Sequence, residues 1–397
     1  MADITLLATA DWDHPLWTNK QHVACGLAEL GHRVLYVESL GLRPPRQGPK
    51  GPAPTQARSD RARIWRRLRH GLLPPRQVRP GLWVWSPLVL PGAHRGFALR
   101  CNRLLLGLGL AVWRLLLGLR ADWIWTYNPM TLAVLDPRPW RRLIYHCVDA
   151  IDKQPDMPAA EMKHWEEKLC RAADVVFVTS PKLLQDLLPL NPLTFFYANV
   201  ADVGHFAQAM QAHLSVPDDV AFLPTPRIGF VGACSAYKLA LTSLALLAQK
   251  HPEWCFVMIG PVGEGDPETD ILELQRLTNV HFLGTRSYAS LPSYMKAFDV
   301  GLLPLQLNHY TQAMFPMKFF EYLAAGLPVV ATAIESLQAH DDLALLCQPT
   351  AEGFEVAIAR ALAGEGPSLD KRLAGAHAHT YSQRTKAMLA HISALPQ

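Results

Sequence analysis

Twice along this chain a short apolar run ends in a polar loop, a helical pattern follows, and a second apolar run resumes. The first instance begins at Ile4–Ala8. The loop 9–20 comes next, then the helix-like segment HVACGLAELGH closed by Gly31, then the run Val34–Val37. The second begins at RIGFVGA (227–233) and continues through CFVMIGP (255–261), VHFLGT (280–285), VGLLPL (300–305) and PVVATA (328–333). Such short apolar runs, alternating with helices, fit buried parallel strands. A chain of 397 residues is also too long for one ordinary core. The expected class is α/β, with two Rossmann-like domains facing each other across a cleft. The expected boundaries are 1–210 for the first domain, including a basic excursion at 43–80, and 211–380 for the second. A final helix at 381–397 is expected to pack back on the first domain.

Apolar residues make up 50% of the chain and charged residues only 18%, so two buried sheets can be filled. The net charge of +4 is too mild to argue for nucleic acid, and no recognition motif accompanies it. The basic residues are concentrated between Arg43 and Arg79, where Asp60 is the single acid. Arg61, Arg63, Arg66, Arg67 and Arg69 surround Trp65. Two readings stay open for this stretch: a solvated loop, or a patch for anionic lipid headgroups or a phosphate-linked acceptor. The run Leu104–Leu117 is interrupted by Arg114 and is shorter than the ~20 residues a membrane span needs. It is expected to be a buried or interfacial helix. The seven cysteines are odd in number and form no CxxC pair, which excludes a disulfide framework or zinc cluster. The start MADITLLATADWD brings acids at once, so no signal peptide is expected. The expected location is the cytoplasm, with peripheral contact at the inner face of the plasma membrane.

Open parallel sheets bind ligands beyond the carboxyl ends of their strands. In the first half those loops offer Asp11, Asp13, Asn19, Lys20, Asn128, His146, Asp149 and Ser180. In the second they offer Ser235, Lys238, Arg286, Lys318 and Glu321. Gly229 and Gly232 do not complete a GxGxxG, which argues against a dehydrogenase, and no GxxxxGK[ST] loop exists. After Gly232, backbone N–H groups and the Lys238 ammonium suit a diphosphate; an exposed helix lysine is the plainer reading. The segment MFPMKFFEYLAAGLPVV (314–330) says most. Lys318 falls in the first turn of a helix, where the dipole does not favour a cation. Its place there makes sense if an anion lies nearby. Glu321 follows one turn later, suited to accepting two hydrogen bonds from ribose hydroxyls, and Gly326 ends the helix. An ordinary amphipathic helix with surface Lys and Glu is the alternative. No cluster of metal ligands stands out, so no required metal is expected.

FEYLAAGLPVVAT resembles the donor-binding segment of the large retaining family-4 glycosyltransferases, which have the two-domain GT-B fold. IGFVGACSAYK, VMIGP, FLGTRSYASLPSYMKAFDVGLLP and FFYANVADVGHF are similar in the same order. DWD, WSPLVLP and YHCVDA look like a bacterial branch that makes surface polysaccharides. The resemblance implies a nucleoside-diphosphate sugar as donor and a glycan, lipid-linked or small-molecule acceptor. By position, Glu321 would bind the ribose and Lys238 would neutralise the departing diphosphate. Backbone amides around Phe315, Pro316 and Lys318 would hold the donor sugar and phosphate. His146 would reach the transferred sugar or the acceptor, with Asp149 as an acid–base or orienting group. The resemblance also implies retention at the anomeric carbon. Two departures stand out. The family often has a second glutamate eight positions before the ribose-binding one, where this chain has Ala313. It often has an arginine shortly before the phosphate lysine, and 233–237 has none, which shifts attention to Arg286 or Lys318. A nucleotide-sugar 2-epimerase of the same architecture and a non-catalytic sugar-nucleotide-binding protein are the competing readings.

Overall fold

The computed structural model describes residues 1–396 except 15–16, 41–70, 72, 91–95, 265 and 267. Trp65 and the arginines around it lie outside the described residues. The chain divides into two compact units. One comprises Met1–Thr179, Leu183–Tyr197 and Thr385–Gln397; the other comprises Ser180–Lys182 and Ala198–Arg384.

Among the described residues the first unit is built on eight strands: β1 (Asp3–Leu7), β2 (Arg33–Val37), β3 (Arg76–Arg79), β4 (Leu82–Trp85), β5 (Trp123–Thr126), β6 (Arg142–Cys147), β7 (Val175–Val178) and β8 (Thr194–Phe196). Their order is β3-β4-β2-β1-β5-β6-β7-β8. All pair in parallel except β3, which runs antiparallel to β4. Arg76–Arg79, inside the stretch expected to leave the sheet, is thus one of its two edge strands. Its mostly exposed Arg-Gln-Val-Arg face suits an edge, where charge discourages further pairing. The central strands are buried on both faces, which is why they read as continuous apolar runs. Met388 and Ile392 of the last helix, Tyr381–Ser393, join this unit's core. The Phe195 and His391 rings stack at 3.8 Å. Gly26 lets that helix approach, since a Cβ there would meet Thr385 Oγ1 at 3.2 Å.

Among the described residues the second unit holds six parallel strands: β9 (Arg227–Val231), β10 (Cys255–Ile259), β11 (Val280–Gly284), β12 (Val300–Leu303), β13 (Val329–Thr332) and β14 (Leu345–Cys347). Their order is β11-β10-β9-β12-β13-β14. Consecutive strands step outward from β9 on one side, and after β11 the chain crosses to β12 on the other. This reversal at β9 and β12 is a topological switch point, where open α/β sheets leave room for a ligand beyond the strand ends. Glycines let the layers approach there. A Cβ on Gly229 would lie 2.1 Å from the Phe298 ring, and one on Gly301 would lie 2.7 Å from Tyr322. Each unit is therefore a Rossmann-like α/β layer structure.

Candidate functional site

The chain beyond the carboxyl ends of β9 and β12 carries the second unit's candidate residues except Arg286, which follows β11. The helix Lys318–Ala324 follows β12 and is fixed by Tyr322. That ring lies against Gly301, and its hydroxyl accepts the Val231 N–H at 2.8 Å. Tyr322 points inward, which sets its neighbour Glu321 at 1% exposure. The Lys318 ammonium donates to the Glu321 carboxylate, and its charge sits 5.7 Å from the Phe206 ring centroid. A carboxylate this buried needs a partner of opposite charge, and Lys318 supplies it. Tyr288 completes the surroundings. Burial first, then the nearby Glu321 charge, push its phenol far above the usual range. Its ring stacks on His205 at 4.4 Å, and its carbonyl lies 2.9 Å from His205 Nε2. Gly326, at φ +79°, closes the helix in the conformation glycine tolerates best.

The loop before this helix is held carbonyl by carbonyl. Ser180 Oγ donates to the Ala313 carbonyl at 2.9 Å, Ser336 Oγ to Met314 at 2.8 Å, and Asn199 Nδ2 to Phe315 at 2.6 Å. Because a peptide is planar, a held carbonyl also fixes the direction of the following N–H. Met314 thereby orients the Phe315 N–H, while Pro316 supplies no donor. The Phe315 ring is buried at 1% and stacks on Phe320 at 5.5 Å. It anchors the loop, leaving its backbone as the polar feature.

Lys238 sits on the loop after β9. That loop is laced to the one after β12. Gln306 N–H donates to the Lys238 carbonyl at 2.8 Å, Ala240 N–H to Pro304 at 2.9 Å, and Asn308 Nδ2 to Tyr237 at 2.7 Å. The Lys238 ammonium lies 5.1 Å from the Tyr237 ring centroid and 5.7 Å from that of Tyr310. These bonds bring Lys238 beside the chain that leads into the clamped loop 313–317. Gly232 and Arg286 are placed differently from what their residue types suggested. The Gly232 N–H donates to Ile259 at 2.8 Å, within the frame. A Cβ on Gly260, at φ +142°, would meet the Gly232 carbonyl at 2.0 Å, so the two glycines let the strand ends meet. Arg286 binds Asp219 at 2.6 Å and the Tyr294 hydroxyl at 2.7 Å. These bonds hold its guanidinium within the second unit's frame.

In the first unit, His146 lies in β6 and is 0% exposed. Trp125, Tyr127 and Phe177 surround it, with ring centroids at 6.0, 4.8 and 6.1 Å. Asp149 lies beyond the strand end and is more accessible, at 30% side-chain exposure, with the Lys20 ammonium 4.0 Å away. Lys20 is itself buried at 7% and lies 5.7 Å from the Tyr127 ring centroid. Asn128 serves its own loop by accepting the Met130 N–H at 2.9 Å. Among the described residues, no group of three or more His, Cys, Asp or Glu side chains is placed to hold a metal.

Sequence reasoning missed Asn199, Ser336 and Tyr322, and read Ser180 as a ligand-facing group. Ser180 donates to a carbonyl 133 residues away in sequence. No local pattern announces such a pair.

Residues 225–364 match the family described as glycosyl transferases group 1. A protein of Bacillus subtilis (strain 168), assigned as the teichuronic acid biosynthesis glycosyltransferase TuaH, is 39% identical over 110 residues. That match takes in 28% of this chain and 27% of the relative, so the chain spans about a quarter of the relative's length. Among solved structures, an E. coli trehalose-6-phosphate protein bound with UDP-2-fluoro glucose aligns over 100% of both chains, at 15% identity and a TM-score of 0.68. HepE of Anabaena, in complex with UDP and glucose, aligns over 100% of both at 16% identity and 0.65. Sucrose-phosphate synthase from Thermosynechococcus elongatus aligns over 98% of this chain and 94% of its own, at 17% identity and 0.66. At these identities the likeness is one of fold.

Proposed function

We propose that this chain, a GT-B-fold protein whose 225–364 segment is related to the group 1 glycosyl transferases, moves a sugar from a nucleoside-diphosphate sugar to an acceptor. The acceptor class is a glycan, lipid-linked or small-molecule hydroxyl of cell-surface polysaccharide synthesis, and transfer proceeds with retention. The observation that carries this reading is the buried Glu321 carboxylate paired with Lys318 beside the clamped 313–317 loop, inside the segment that matches the family. TuaH, named for teichuronic acid biosynthesis, supports the acceptor class. The solved structures in complex with UDP or a UDP-sugar support the donor class.

Each proposed role follows from chemistry. Glu321 accepts the ribose hydroxyls. Lys238, together with the oriented amides near Phe315 and Lys318, meets the negative charge that develops as the nucleoside diphosphate departs. Gly232 shapes the strand end, and Arg286 braces the second unit through Asp219. Asp149 is a first-unit group that solvent reaches, and His146 lies buried in β6, the strand that leads to it.

The test is calorimetry and turnover across a panel of nucleotide sugars, with product stereochemistry read by NMR. Saturable binding of one donor and glycosidic transfer from it are expected. An epimerised free nucleotide sugar formed without acceptor would replace this reading with the epimerase. Charge neutralisation by lysine and amides also predicts that turnover persists in excess EDTA; collapse on chelation with recovery on Mg²⁺ or Mn²⁺ would refute it.

His146→Ala is expected to lower turnover about ten-fold or more while donor affinity stays within a few-fold. The sealed ring makes a stability control necessary, because removing a buried ring leaves a cavity. Turnover that falls only as the folded fraction falls, followed by a melt, would make His146 a core residue and leave Asp149 as the acting group.

A further inference from the structure

We propose that the outward face of the helix Gly96–Leu116 docks on an anionic lipid bilayer. The helix is held to the first unit in one rotation. The Asn102 side chain binds the Leu90 backbone twice, at 2.7 and 2.8 Å. Leu106 and Leu110 are 0% exposed. A Cβ on Gly109 would come within 2.4 Å of the Trp85 ring, so helix and strand touch there. Arg114 lies over Trp140 at 4.8 Å. The opposite face is apolar as well. Phe97 is 82% exposed, Leu104 62%, Leu108 57%, Val112 49% and Leu115 81%. Their spacing, seven, four, four and three residues, puts them on one stripe of a 3.6-residue helix. An amphipathic helix serving only its own core would carry polar residues here.

Charge identifies the occupant. Arg100 and Arg103 are exposed along one edge of the stripe. From Arg61 to Ala121 the sequence contains no Asp or Glu, and its lysine and arginine charges are all arginines. An apolar stripe edged by arginines meets both of its needs at a bilayer with anionic headgroups, where side chains enter the acyl boundary and guanidiniums find phosphates. A second copy of the same face would set arginine against arginine. No helix among the described residues is long and apolar enough to cross a membrane, so this one lies along the surface.

The test uses the full chain, with sedimentation on vesicles of phosphatidylcholine alone and of phosphatidylcholine with phosphatidylglycerol. Binding is expected on the anionic vesicles and is expected to weaken at high salt. The double variant Leu104→Ser, Leu108→Ser is expected to lower the partition coefficient about ten-fold or more. The variant Arg100→Ala, Arg103→Ala is expected to lower it several-fold. These positions are exposed, and a thermal melt confirms folding. A second measurement needs no variant: hydrogen exchange over 96–116 is expected to slow when anionic vesicles are added. Three results would overturn the proposal. They are absence of wild-type binding, a leucine variant that binds like wild type, and a dimer that the leucine variant dissolves. None of these readouts depends on nucleotide-sugar turnover, so failure here is separate from failure of the proposed activity.

Discussion

Glu321→Ala is expected to weaken nucleotide-sugar binding by about ten- to a hundred-fold while the protein stays folded. Charge-assisted hydrogen bonds are worth about 1.5–3 kcal/mol each, and a carboxylate meeting two ribose hydroxyls makes two that are not fully additive. The side chain is 1% exposed and bonded to Lys318, so its loss removes both the acceptor and the partner of a partly buried ammonium. Lys318 has 17% side-chain exposure and can turn toward water, which keeps the stability cost modest. Glu321→Gln retains an acceptor of similar shape and is expected to recover part of the affinity. Calorimetry with the preferred donor measures both variants. Wild-type affinity in Glu321→Ala would remove the ribose role and the reading built on it.

The second large effect is expected at residues that sit behind the site. The double variant Ser180→Ala, Asn199→Ala strips the Ala313 and Phe315 carbonyls of their side-chain donors. Each buried carbonyl left unsatisfied costs about 1–3 kcal/mol, and the strain falls on the loop that orients the Phe315 N–H. Donor affinity is expected to drop about ten-fold or more, beyond what the shift in melting temperature accounts for. A matched loss of stability with unchanged donor affinity would show that the loop holds its shape without these bonds. Ser180→Thr keeps the hydroxyl and is expected to fall between the double variant and wild type.

The parallel strands from β9 to β13, the helix at Lys318 and its stop at Gly326 were legible from hydrophobic runs and one glycine, while the short edge strand β14 was not. Those features are local: strand burial and helix termination are decided within a few residues. Pairing across the chain was not legible. Arg286 reads as a free cation after a strand, but Asp219, 67 residues earlier, binds it at 2.6 Å. The backbone at Gly232 reads as a phosphate cradle, but the neighbouring strand takes its N–H. His146 reads as a residue at the loop end of a strand. Trp125 and Tyr127 around β5 and Phe177 of β7 close over it, and a sequence pattern does not say which alternate residues the neighbouring strands turn to the same face. The basic residues around Trp65 fall outside the described residues, so the lipid-facing surface rests on the helix Gly96–Leu116.

The carbonyl clamp on the 313–317 loop also bears on where this protein can be cut. The family match begins at residue 225, but two of the three donors that hold the loop, Ser180 and Asn199, come before it. So do His205 and Phe206, which pack against Tyr288. A fragment made to the family's borders would keep the sheet and the Lys318–Glu321 pair yet leave the loop's outer carbonyls bare. The compact unit that holds this loop is therefore discontinuous along the chain. It is the 198–384 stretch together with a three-residue outpost at 180–182, and any recombination between related chains that separates the two would carry the loop without the Ser180 bond that holds it.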